Sequence, residues 1–549
     1  MPARTPEEAA SPADSGVSSA GANPAPGRRE AARVLTTYTW CLGAIFVASI
    51  PLSFIFGREI GAVRNWQIWL NAALLLLLVS KKDVATVTRG PVPRAAWRFL
   101  LAAAALSYLV CSLSRFYGFL VNGVDFSIFD WMLESTLRGR FMYSPIYDLD
   151  HLGVHQTYLM FLLLPLHALF RTPALLCVVN ALLIWSGVFP CARLARRFMG
   201  YDAWGLLAGA FYLTNPWVTR MVNGGFRPES AYPVLGLMFA VGWTERRRWL
   251  WVLGAAGFLC IKEDAGFYLA ALAVGSLLHE RTRRRESLAL LLCAVAVPLF
   301  DITVVQRLLR GSGSSQPGYL VFWGAWGSTL PQILASMALH PARLVADIAT
   351  SSWLLMLGPL LLLPLLAPLP RSAMMPALLL LGSSTNPNMR LYQSYYPVPL
   401  VPFVLWGLVA SYEVLVRVRL REPLFVVVLL VGPLLIDGYV KFDRPRFDLT
   451  SEMARVEAVV RAGTGPLCVQ TVLFPHVLYE DSPLPLLGSC EKRRGARLLL
   501  STQLDPWPRT KEEIAALASG GEGRRVVPFG AGLVLVEPVE RQSPAAGLQ

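Results

Sequence analysis

Apolar runs repeat along most of this chain, at about 34–56, 66–80, 97–120, 174–192, 203–219, 229–244, 249–261, 265–279, 287–305, 352–369, 373–384, 398–415 and 423–436. Several approach the ~20 residues an α-helix needs to cross a bilayer. The pattern predicts an all-α polytopic membrane protein, with its transmembrane domain over residues 33–440. A polar island interrupts it from Asp125 to His155, inside an outer loop assigned to 121–155. Phe126, Phe129, Leu133 and Leu137 open that island at the 3/4 spacing of one helix face, which predicts a short amphipathic helix lying on the membrane surface. A further run at 154–170 carries Pro165 and His167 and ends on Arg171-Thr172-Pro173, and it is read as a re-entrant or partly inserted segment. Beyond about 437 the hydropathy falls. Short mixed strands at Leu467 to Phe474, Ala496 to Thr502 and Ala531 to Pro538, with a helix-like stretch from Thr510 to Ser519, predict a small α/β domain over 441–540. Residues 1–32 are poor in large hydrophobes and are expected to form a disordered cytoplasmic tail, and 541–549 a frayed one. The first apolar run begins near Val34, so insertion is expected to rest on that run as an anchor rather than on a cleavable signal.

Composition strengthens this picture. With 54% hydrophobic and only 16% charged residues in 549, the chain falls in the membrane class. A formal charge of +14 raises nucleic acid as a partner, but the arginines come in short clusters between apolar runs. That spacing is the mark of cytoplasmic loops, so no nucleic acid is expected. The clusters at Arg193, Arg196 and Arg197, at Arg246 to Arg248, at Arg281 to Arg285 and at Arg417 to Arg421 are then all cytoplasmic. Satisfying them gives about 13 crossings, with the N-terminus inside and the C-terminal domain outside. Six of the eight cysteines lie in or beside apolar runs, where a thiol behaves as a small hydrophobe, and no CxxC occurs. Cys468 and Cys490 stand apart in the soluble region, a candidate disulfide if that region is extracytoplasmic.

Candidate chemistry sits in the links. The island carries Asp125, Asp130, Glu134, Asp148, Asp150, His151 and His155, and a carboxylate there can act as general base or hold a divalent metal. The same residues also fit a solvated loop, with Asp130, Glu134 and Arg138 as a salt-bridged face and Asp125 as a helix cap. Lys262, Glu263 and Asp264 fall between two apolar arms flanked by arginine clusters, so an even number of crossings puts them at the turn of a hairpin. The arms are short, which sinks the turn below the outer surface into a wet cavity, since ionisable groups in lipid are costly unless paired or hydrated. Asn223 to Ser230, with Arg227 and Glu229, and Asn386 to Pro397 fall on that same side. Arg227 suits a phosphate or carboxylate, or a plain pair with Glu229. Tyr392, Tyr395 and Tyr396 read as an aromatic belt, or as a platform for a sugar, with Tyr395 the candidate. The GSGSS stretch near Gly311 lacks the lysine and strand context of a phosphate loop.

The order DFSIFD, GVHQTYLMFLLLPLHALF, ARLARRF, LTNPWV, FRPES, KEDAG, a PLLLLPLLAPLP run and YYPVPLVPF, from about Phe116 to Val539, resembles an uncharacterised family of predicted bacterial multi-pass membrane proteins with a domain of unknown function. The chain departs from that family at Val154 and Gln156 around the loop histidine, and at Arg227, where the family usually has a histidine that could bind metal. That family in turn is similar to the GT-C superfamily of integral membrane glycosyltransferases. The resemblance implies a GT-C-like helical bundle and a polyprenyl-phosphate-linked sugar donor. It also implies an acidic residue of the first outer loop as base. On this sequence it makes Asp125 the catalytic base with Asp130 its neighbour, and lines the cavity with His155, Arg227, Glu229, Lys262, Glu263 and Asp264. The expected function is transfer of a sugar to an envelope lipid or polymer at the outer face of a bacterial inner membrane. Its rivals are a transporter or flippase for a lipid-linked or anionic substrate, and a non-catalytic envelope scaffold.

Overall fold

A computed structural model describes residues 26–56, 62–80, 84–121, 123–146, 149–310, 318–352, 354–391, 395–419, 421–435, 441–463, 465–477, 484–485, 490–493, 495–521 and 523–539. The N-terminal tail up to residue 25, Asp148, the 311–315 stretch, Tyr392 and the C-terminal tail lie outside the described residues.

The fold is mostly helical. In chain order the helices used below are α1 (Pro26–Phe56), α2 (Ala62–Ser80), α3 (Arg94–Tyr117), α4 (Gly123–Leu137), α5 (Ala174–Ser186), α6 (Val188–Met199), α7 (Asp202–Thr214), α8 (Pro216–Gly224), α9 (Tyr232–Thr244), α10 (Arg248–Leu259), α11 (Ala265–His279), α12 (Arg284–Phe300), α13 (Pro368–Gly382), α14 (Val401–Val414), α15 (Arg421–Val431), α16 (Phe447–Ala462) and α17 (Lys511–Ala518). Among the described residues four helical segments are long and apolar enough to cross a bilayer in one piece: Glu30–Ile55, Arg94–Tyr117, Ala174–Met199 and Arg281–Arg310. The other apolar runs are shorter helices, so crossings cannot be counted one per helix.

Proline explains much of the shortening, because it lacks an N–H and clashes with the preceding turn. The run expected at 203–219 divides at Asn215-Pro216, where the Asn215 side chain accepts the Trp217 N–H at 2.9 Å and caps α8. The run expected at 352–369 is broken further, into a four-residue helix and two 3-10 turns around Pro359 and Pro364, with Leu361 and Leu362 at φ of 51° and 56°. The segment at 154–170 is a 3-10 turn, Tyr158–Leu162, then a six-residue helix, Leu164–Leu169. Six residues rise only about 9 Å, far short of a crossing.

One apolar core unites α1, α2, α3 and the helices from α5 to α15. Within it α9 packs tightly on α10, and α11 on α12 and α13. Glycine permits the closest of these contacts: a Cβ at Gly254 of α10 would meet the Phe239 nitrogen of α9 at 2.5 Å, and one at Gly266 of α11 would collide with the Ala294 carbonyl of α12. Small residues at such crossings let helix backbones approach where lipid supplies no hydrophobic drive.

The structure corrects the reading of α4 as an amphipathic surface helix. Phe126, Phe129 and Leu133 are buried as expected, but Ser127, Asp130 and Glu134 are buried too. Phe126, Phe129 and Leu133 pack beside Phe116, Cys177 and Phe226. Trp131, with Phe119, packs instead into a second core with Leu449, Met453, Leu467, Leu473 and Leu535. A C-terminal layer therefore covers the side predicted to face water. That layer is a five-stranded sheet ordered β2-β1-β3-β5-β4, where β1 is Leu467–Val469, β2 Leu484–Pro485, β3 Arg497–Ser501, β4 Arg524–Pro528 and β5 Leu533–Pro538. β1 runs parallel to β2 and β3, and β5 antiparallel to β3 and β4. α16 supplies Leu449, Met453, Val456 and Val460 to the shared core. α17 starts on a capping box between Thr510 and Glu513. Cys468 and Cys490 are disulfide-bonded. The contact with α4 is close enough that a Cβ at Gly123 would collide with the Thr471 carbonyl.

Candidate functional site

The helices sort the polar residues to two ends of the bundle. At one end Glu245 ties Arg193 of α6 (2.5 Å) to Arg247 (3.0 Å), Arg248 lies 3.5 Å from Glu286, and the Trp243 indole N–H donates to Glu280 at 3.1 Å. Three arginine clusters, far apart along the chain, thus share one face. α9 and α10 run away from that face for about 20 Å, and at their far ends lie the Arg227 and Lys262 loops.

Those loops converge on the start of α4. Gly225, at φ 82°, turns the chain between α8 and the 3-10 turn Pro228–Ala231, and a Cβ there would meet Val121 at 3.3 Å and Phe126 at 3.4 Å. The turn presents Arg227, whose guanidinium pairs with Asp125 on the first turn of α4. On its other side Arg227 lies over the Tyr395 ring, 3.7 Å from the centroid. The Lys262 ammonium lies 5.9 Å from the same ring and 5.8 Å from that of Tyr396, and 3.3 Å from Glu229 Oε1. The tyrosines stack on each other at 4.4 Å.

The next residue, Glu263, meets the island from the opposite side. One carboxylate oxygen lies 2.9 Å from His155 Nδ1 and the other accepts the Gln156 backbone N–H at 3.1 Å. The Leu159 N–H donates to the Cys260 carbonyl at 3.0 Å and fixes the His155 loop against the end of α10. Asp264 accepts the Tyr232 hydroxyl at 2.8 Å. α10 and α11 diverge at this turn because each packs chiefly on another partner, α9 for one and α12 with α13 for the other. Beside Arg227 and Glu229 a cavity of about 210 Å³ opens between Trp217, Arg220, Tyr395 and Val401.

Charge and burial set the protonation of the cluster. Burial drives the Glu263 carboxyl up, but the His155 imidazole and the Lys262 ammonium outweigh it and hold the group at about 2. Glu229 follows the same logic: burial raises it, Lys262 and Arg227 pull it below its ordinary value. Asp264 differs. Burial raises it, Lys262 lowers it and Glu263 raises it again, which leaves it at about 6 against an ordinary 3.8. Asp125, Glu229, Glu263 and Asp264 outnumber Arg227 and Lys262, so Asp264 is the group left without full compensation. An acid with a raised pKa holds its proton more tightly folded than unfolded, so its contribution to stability falls as pH rises from about 4 to 6 and is flat above. Thermal unfolding of the detergent-solubilised protein is expected to show this decline, and Asp264→Asn to remove it. An unchanged pH profile in Asp264→Asn would refute the assignment.

Asp125, His155, Arg227, Glu229, Lys262, Glu263, Asp264 and Tyr395 are therefore brought into one connected cluster. Asp130 is not turned toward it: five residues on from Asp125 is about 140° round the helix, and Asp130 is 2% exposed. Glu134 is structural, fully buried between Arg138, Arg171 and His167. Among the described residues no group of three or more His, Cys, Asp or Glu is arranged to hold a metal ion. Sequence reasoning missed Tyr232, whose pairing with Asp264 has no local signal. It also passed over Asp301, a fully buried carboxylate that accepts from the Tyr158 hydroxyl at 2.5 Å and the Gln306 side chain at 2.7 Å. There the signal was present, a lone acid inside the apolar run 287–305.

Residues 115–462 match a family of predicted membrane proteins, DUF2079, and the chain belongs to that family, whose function is unknown. The match takes in every residue of the charged cluster and stops before the C-terminal sheet. No curated protein and no solved structure matches the chain.

Proposed function

We propose that this DUF2079 protein is a GT-C-like membrane glycosyltransferase, moving a sugar from a polyprenyl-phosphate-linked donor to an envelope lipid or polymer. One observation carries the reading: a partly exposed carboxylate, Asp125, stands in front of two more buried cations, Arg227 and Lys262, with 34% of its side chain accessible against 14% and 17%. Sugar transfer needs such an arrangement. A base must take the acceptor's proton, and positive charge must stabilise the departing phosphate. Tyr395, already stacked on Arg227, offers an aromatic face at the same place. Asp130 enters the reading only as the buried residue behind Asp125.

Topology forms part of the proposal. The proposal keeps about 13 crossings, with the arginine face cytoplasmic and the charged cluster outside, as the positive-inside rule expects. On this reading the site faces outward from a bacterial inner membrane. The disulfide between Cys468 and Cys490 supports this, since such bonds persist in oxidising compartments, and the C-terminal sheet shares a core with α4 on that side.

The test is transfer by the purified protein in liposomes, from radiolabelled polyprenyl-phosphate sugars to membrane lipid, comparing the parent with Asp125→Asn. Label movement that both proteins support equally would exclude the catalytic reading. Label crossing the bilayer without transfer would favour a flippase.

A further inference from the structure

The arginine face carries two adjoining cavities, of about 580 and 420 Å³, which share Arg89, Gly200 and Tyr201. They lie at the opposite end of the bundle from the Asp125 cluster, and nothing in the proposed reaction uses them. Distant parts of the chain supply the guanidiniums. Arg89 follows the short helix Val84–Thr88, Arg196 and Arg197 end α6, and Arg421 begins α15. Gly200, at φ 87°, closes α6 with nothing within 4 Å of where a Cβ would stand, so the mouth stays open.

The arginines are held without being used up. Arg89 makes a loose 3.4 Å contact with Glu422 and lies 5.8 Å from the Tyr201 ring, while Arg196 is 3.4 Å from Asp202. Arg421 stacks 4.3 Å over Tyr412, and Arg197 makes no salt bridge among the described residues. A guanidinium has five N–H donors and forks onto phosphate oxygens two at a time. These four arginines outnumber the lining acids Asp202, Glu413 and Glu422. The cavities also lie where apolar helices α6, α14 and α15 begin or end, beside the exposed Val416 and Val418. Phospholipid phosphates occupy that level of a bilayer, and basic pockets between membrane helices bind them.

We propose that this cavity is a phosphate-ester site filled by the head group of an anionic phospholipid. The test uses full-length protein in neutral detergent, titrated with phosphatidylglycerol, with phosphatidylcholine or with inorganic phosphate, and follows the thermal unfolding midpoint. Phosphatidylglycerol is expected to raise the midpoint saturably, and the other two to leave it in place. Arg89→Ala with Arg421→Ala is expected to weaken phosphatidylglycerol binding about thirtyfold. Arg248→Ala with Arg284→Ala, an equal charge change at exposed positions on the same face, is expected to leave it unchanged. Should the first pair fail to fold, Arg89→Lys with Arg421→Lys keeps the charge but not the fork, and is expected to weaken binding about fivefold. Equal loss in the cavity and control pairs, no preference for the anionic lipid, or an equal shift with inorganic phosphate would each overturn the proposal.

Discussion

Asp125→Asn is expected to lower sugar transfer by at least about a hundredfold while the protein still inserts and folds, because a positioned general base contributes on the order of 10² to 10⁴. The change is nearly isosteric and sits at a partly exposed position, with 34% of the side chain accessible. Losing its ion pair with Arg227 should therefore cost only ~1 kcal/mol of stability, as for other solvent-screened pairs. Arg227 keeps its stacking on Tyr395, so the site's shape survives the loss of the carboxylate. Asp125→Glu restores the charge on a longer stem and is expected to recover part of the activity. Asp130→Asn is the companion control. Asp130 is buried and turned from the cluster, so its effect should appear in the unfolding midpoint rather than in the rate. A full rate in Asp125→Asn, or an identical loss from both substitutions, would take the base away from Asp125.

Much of this site was legible because the bilayer imposes strong rules on composition. Arginine clusters flanking two short apolar arms placed Lys262 to Asp264 at a turn before any coordinates, and α10 and α11 do end and begin around it, with 12 and 15 residues. The gathering of Arg227, Lys262 and Tyr395 beside Asp125 follows from the same parity argument. The misread element, α4, failed for a reason that periodicity cannot detect. The side opposite its apolar stripe, which carries Trp131, is covered by Leu449, Leu467 and Leu535, which lie more than three hundred positions further along the chain. Apolar stripes show which face is buried against the nearest layer, not whether a second layer exists. Helix breaks were half visible. Pro216, Pro359 and Pro364 are plain in the sequence, yet membrane helices often tolerate proline, so only the structure shows that these interrupt the runs. Pairings such as Tyr232 with Asp264 and Tyr158 with Asp301 join residues whose side chains have no reason to meet until the helices are packed.

Lys262→Ala is expected to destabilise the protein more than any other single change in the cluster, by ~3–5 kcal/mol, the usual cost of stranding a buried carboxylate. Lys262 Nζ is 3.3 Å from Glu229, and its charge also acts on Glu263 and Asp264. Once it is gone, the acids reduce their repulsion by taking up protons, so their folded pKa values rise above the unfolded ones. The penalty should therefore be small near pH 4, grow as pH rises through the unfolded carboxylate range, and level off above the new folded values. Transfer activity should disappear at every pH, since the phosphate loses its ammonium. Lys262→Ala combined with Glu229→Gln removes both members of the pair and is expected to recover more than half of the lost stability, a coupling that a double-mutant cycle measures directly. Unfolding midpoints at pH 5 and pH 8 for the parent, both single variants and the double variant decide the matter. If the effects of the two substitutions simply add, or if the Lys262→Ala penalty is the same at both pH values, Lys262 is not what holds these carboxylates ionised.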